Sequence, residues 1–174
     1  MNTRNLSILL LLLAVSFGCK NSEEGHHPDN DRSSLQELKD SVVVKKSVAQ
    51  LKEELLGNGF EIFDYVDTKT GDTTLMQQYF IAFLKRGPNR SQSKEETDSL
   101  QVLHLAHLGR MYEEGYADIS GPFGDDGEIR GITIYNVPTL KMADSLAKMD
   151  PMVKAGRLVI EIHPWWAAKG FPLR

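Results

Sequence analysis

The order of periodic segments after residue 77 constrains this chain more than any other feature. Gln78–Lys85 (QYFIAFLK) is apolar on both faces, as a strand inside a sheet must be. Gly87 and Pro88 make 86–92 a loop, and Lys94–Glu114 has a helical period closed by Gly115. Tyr116–Ser120 predicts a short strand, Gly121–Asp126 a turn, and Glu128–Val137 another strand. Thr139 caps a helix over Thr139–Met149, and Arg157–His163 is a last strand.

Strand, helix, strand, strand, helix, strand is the split βαβ order. It predicts an α+β, ferredoxin-like βαββαβ domain: a four-stranded antiparallel sheet with both helices on one face. Upstream, Ser34 and Glu37 make a capping-box start to a helical segment through Leu35, Leu38, Val48, Leu51 and Leu55. The β-branched run Val42–Val44 divides it, and Gly57, Asn58 and Gly59 end its second part. Phe60–Asp67 alternate, Gly71 supplies a turn, and Thr73–Leu84 continue as a strand, which reads as a hairpin. The organisation is therefore a helical segment and first hairpin strand over 33–73, then the main domain over 74–174.

Two helices cover one face of such a sheet. Yet Tyr79, Ile81 and Phe83 are as apolar as Phe80, Ala82 and Leu84 on the opposite side. An apolar sheet face left to water is a large exposed patch, so a second copy of the chain is expected to cover it.

The first residues have the layout of a secretory signal, with Arg4 ahead of an apolar run from Leu6 to Val15. That run is shorter than the roughly 20 residues a spanning helix requires. VSFGC resembles the lipobox of bacterial lipoproteins, with Ser16 and Gly18 at its small positions and a bulkier Phe17 between them. The resemblance implies a signal peptide over 1–18, acylation of Cys19 by fatty chains such as palmitate, and attachment to a membrane of the bacterial cell envelope. The alternative is a plain secretory signal followed by a leftover thiol. Residues 19–32 are polar and lack large apolar groups, which predicts a flexible tether; His26 and His27 lie in it. Cys19 is the only cysteine, so no internal disulfide forms. The net charge of −4 gives no support to nucleic-acid binding, which wants a basic face.

On the helix 94–114, Leu100, His104, His107, Leu108 and Met111 share one face, with Leu103 at its edge. A histidine in that stripe needs a hydrogen-bond partner. Two readings stand: a core histidine bonded to a backbone carbonyl, or a group that exchanges protons near neutral pH. His104 and His107 have i, i+3 spacing, but no third ligand follows, so no metal site is predicted. Asp150-Pro151 is a standard helix start, and an aspartate is also what orients a histidine in proton transfer.

The stretches HLAHLGRMYEEG, DISGPFGDDGEIRG and DSLAKMDPMVKAGRLVIEIHPW resemble the YCII-related family of small bacterial domains. His104 matches the family histidine, Gly121-Pro122 its Gly-Pro, and Asp150-Pro151 its Asp-Pro. The resemblance implies a ferredoxin-like domain paired into a dimeric α+β barrel, with a His–Asp dyad in a pocket between helix and sheet. The implied function is cofactor-independent acid/base chemistry on a small organic molecule, with His104 and Asp150 catalytic. Arg90, Arg130 and His107 are the candidate substrate-binding residues, the arginines steering an anionic group or simply standing solvated. The second function class is a non-catalytic small-molecule-binding or scaffold dimer, in which His104 and Asp150 are structural.

Overall fold

The computed structural model describes residues 46–171 and 173. The Ser34 helix start, the tether and Cys19 lie outside them. Helix α1, Val48–Gly57, begins at Ser47, whose hydroxyl accepts from the Gln50 N–H while the Gln50 side chain returns to the Ser47 N–H. Strand β1 is Ile62–Val66, and β2 is Thr73–Arg86, fourteen residues long. Helix α2, Lys94–Glu113, has a second capping box at Ser93 and Glu96. Strands β3 (Ala117–Pro122) and β4 (Ile129–Tyr135) follow, then α3 (Leu140–Ala147) capped by Thr139. The one-turn helix α4, Pro151–Lys154, starts at Asp150, and β5 is Leu158–Ala168.

All pairings are antiparallel, and the strand order is β5-β2-β4-β3. That order, with its helices, is the α+β ferredoxin-like arrangement the segment order predicts. The sheet has five strands rather than four. β2 is long enough that its first half, Thr73–Gln77, pairs with β1 while Phe80–Lys85 pairs with β4. β5 also runs five residues past His163, because β2 offers it a backbone partner as far as Met76. Pro164 interrupts the local strand signal, but the long neighbouring edge overrides it.

The core lies between the sheet and its helices. Phe80 and Ala82 from β2 meet Met111 of α2, Ala143 and Ala147 of α3, and Tyr135 of β4. A second cluster joins Leu84, Leu158 and Met152, which seats α4 against the sheet end. The α2 stripe turns inward as its period requires, with His107 and Met111 buried and His104 partly so; Leu103 is instead half exposed. On the other sheet face Ile81 and Phe83 are only partly covered, and Val159 and Trp165 are exposed.

Candidate functional site

Asp150 stands 46 residues from His104 in sequence, and packing of α4 beside α2 brings them together. His104 Nδ1 lies 2.6 Å from Asp150 Oδ2. Asp150 Oδ1 accepts from the Met152 N–H at 2.8 Å, so one carboxylate both starts α4 and holds the ring. Asp150 is 2% exposed, which shields the pair from competing water. Its neighbour Tyr135 is buried too, and burial together with the Asp150 charge pushes that phenol well above its ordinary range.

His104 also borders two hollows that share Gln101, Pro122, Arg130 and Leu158. One, of about 130 Å³, is completed by Leu84, Leu105, Leu108, Gly121, Gly131 and Ile132. The other, of about 300 Å³, is completed by Arg90, Arg157 and Met152. With Nδ1 engaged by Asp150, Nε2 is the ring nitrogen left to exchange a proton. A carboxylate-held imidazole beside a cavity can act as general base and then as general acid.

Arginines dominate the second hollow. Arg130 donates to Asp126 Oδ1 at 2.8 Å and to the Gly127 carbonyl at 3.1 Å, while Arg157 donates to the neutral Gln92 side chain at 3.1 Å. Burial, and then the charges of Arg157, Arg86 and Arg130, pull the Arg90 guanidinium below its ordinary pKa, with Glu128 opposing. These groups form a positive rim suited to an anion. The loop carrying Arg90 is tied to the turn before β5: the Gly87 N–H donates to the Arg157 carbonyl at 3.0 Å, and the Asn89 N–H donates to the Gly156 carbonyl at 3.1 Å.

Of the residues singled out in the sequence, His104, Asp150, Arg90 and Arg130 are brought to one place. His107 is not. It is 4% exposed, borders neither hollow, and its Nδ1 accepts from Arg110 at 3.1 Å. Its Nε2 is buried without a partner, and burial lowers its pKa. Gln101 and Arg157 were missed. Gln101 is a polar residue one turn before His104, so the helical period carried a signal for it; Arg157 had none. Among the described residues no three His, Cys, Asp or Glu side chains gather as a metal site would require.

The fold and the site define a ferredoxin-like α+β domain with a His–Asp pair at a cavity between helix and sheet. The family model of the YCII-related domain matches residues 79–166, and the chain belongs to that family. Among solved structures, it is similar to the 5-chloro-2-hydroxyhydroquinone dehydrochlorinase of Burkholderia phenoliruptrix AC1100, in complex with 2,5-dihydroxybenzoquinone. The identity is 20% and the TM-score 0.40, over 50% of this chain and 92% of that one. No curated protein matches.

Proposed function

We propose that this is a lipoprotein held at the bacterial cell envelope through Cys19, whose YCII-type domain moves a proton on a small organic anion. The observation that supports this reading best is the 2.6 Å contact between His104 Nδ1 and Asp150 at the wall of an arginine-rimmed cavity. Asp150 keeps a proton on Nδ1, which leaves the Nε2 lone pair as the base. Arg90 and Arg157 hold the anionic group, and Arg130 stands beside the charge that grows on the substrate as its proton leaves. His104 returns the proton at the same or a neighbouring atom. The pair supplies both the acceptor and its orienting carboxylate, so the proposed step uses no cofactor. The working unit is a homodimer, supported by the apolar outer sheet face.

The test is proton exchange. A panel of small carboxylates with acidic C–H groups is incubated in heavy water, and deuterium uptake is followed by NMR. His104→Gln should slow uptake by about 10²–10⁴-fold while leaving binding in place. Saturable binding with no uptake by the parent for any panel member would make the domain a non-catalytic binder. The anchor is tested separately: Cys19→Ser should leave the domain folded but abolish detergent partitioning and acyl labelling. Equal partitioning of variant and parent would remove the anchor from the reading.

A further inference from the structure

On the sheet face away from His104 lies a cavity of about 620 Å³, larger than either hollow beside the dyad. Its apolar walls include Tyr79, Trp165, Phe171 and Ile134. Tyr79 and Trp165 sit with ring centroids 6.3 Å apart, so one wall is largely aromatic. The polar groups are Lys169, the Tyr79 hydroxyl and Asp118.

Lys169 is held in place from both ends. Its N–H donates to the Leu75 carbonyl at 2.8 Å, extending the β2–β5 ladder beyond Ala168, so its backbone position is set by the sheet. Its Nζ donates to Tyr79 Oη at 3.3 Å and stands 5.5 Å from the centre of that ring. Among the described residues it forms no ion pair with a carboxylate. Asp118 lines the same cavity but its Oδ1 already accepts from Asn136 Nδ2 at 3.1 Å. Burial lowers the Lys169 pKa, opposed by the charges of Asp118 and Glu54, and burial raises Tyr79 to about 12.

A half-buried ammonium without a paired carboxylate costs free energy that an anion can offset. Tyr79 accepts from Lys169, which leaves its own O–H to donate. Two donors 3.3 Å apart match the two oxygens of one carboxylate. The aromatic walls suit a flat ring attached to it. Asp118 lines the same cavity without pairing with Lys169, and its negative charge disfavours a polyanion.

We infer that this cavity is a second ligand site, separate from the dyad, for an aromatic monocarboxylate bound by Lys169 and Tyr79. A second copy laid over the face would roof the site.

Binding of 2-naphthoate and of its uncharged methyl ester to the full-length chain, followed by tryptophan fluorescence and calorimetry, tests this. The parent should bind the acid about tenfold tighter than the ester, the size of one charge-assisted contact. Lys169→Met should abolish that preference and keep ester binding, and Tyr79→Phe should reduce it. Arg157→Met, at the arginine rim of the other cavity, should leave both affinities unchanged. Equal affinity for acid and ester in the parent, or no saturable binding because another copy's side chains fill the space, would overturn the proposal. So would a preference for the acid that is kept in Lys169→Met and lost in Arg157→Met, which would place naphthoate at the arginine rim.

Discussion

At Asp150 the two carboxylate oxygens do different work, and that asymmetry gives a sharp test. In Asp150→Asn the side-chain oxygen is expected to stay on the Met152 N–H, because that backbone donor has no other partner in the cap. The amide nitrogen then faces His104 Nδ1 and donates to it. The preferred tautomer therefore reverses, from a proton on Nδ1 to a proton on Nε2, and the base is lost without loss of the cap. Nitrogen-15 shifts of the ring should show the tautomer ratio changing by about tenfold or more, as hydrogen bonds to charged groups contribute about 1.5–3 kcal/mol. Any exchange activity should fall with it. An unchanged ratio would leave Asp150 as a helix cap alone. His107 supplies a different prediction. Its pKa is lowered from 6.5, first by burial. The folded state then binds fewer protons there than the unfolded state, so its contribution is present above 6.5 and is lost as pH falls through the lowered folded value. His107→Met, which also removes the unpartnered Nε2, should flatten the loss of stability as pH falls below 6.5 in denaturant titrations. It should not weaken ligand binding at the His104 cavity.

Elements meet the site through two close backbone approaches. A Cβ added at Gly87 would stand 2.3 Å from the Gly156 carbonyl oxygen and 2.7 Å from the Arg157 carbonyl carbon. Neither backbone group can move without opening the ties that join the Arg90 loop to the β5 turn. Gly87→Ala should therefore destabilise by about 1–3 kcal/mol. It should also weaken anion binding at the arginine rim, which separates it from a remote core defect; calorimetric melts and ligand titration measure the two effects. Gly131 has the same character, since its added Cβ would meet the Gly121 carbonyl oxygen at 2.6 Å. The sequence marked Gly87 only as a loop residue and Gly131 not at all, because the atoms they must avoid belong to other segments. Helix positions were legible for the opposite reason. The caps at Ser93, Thr139 and Asp150 act on N–H groups two or three residues away, so local sequence carries the whole signal.

At the scale of the molecule the outer sheet face carries the remaining prediction. Ile81, Phe83, Val159 and Trp165 lie on a face with incomplete cover among the described residues. The soluble fragment from Ser33 onward should scatter light as a dimer, and Phe83→Lys should shift it toward monomer. A monomeric parent at micromolar concentration would assign cover of that face to the chain's own segments. The resemblance to the YCII-related family implied the pairing of His104 with Asp150, and the sequence by itself determined the kinds and order of the elements and the two-sided apolar character of β2. Periodicity, caps and short motifs act over a few residues, and these features need no more. Tertiary structure decided the full length of β5, the joining of Arg157 and Gln101 to the site, and the removal of His107 from it. It also decided that Lys169 stands beside Tyr79. Each depends on which backbone or side chain arrives from tens of residues away, and a local pattern holds no record of that arrival.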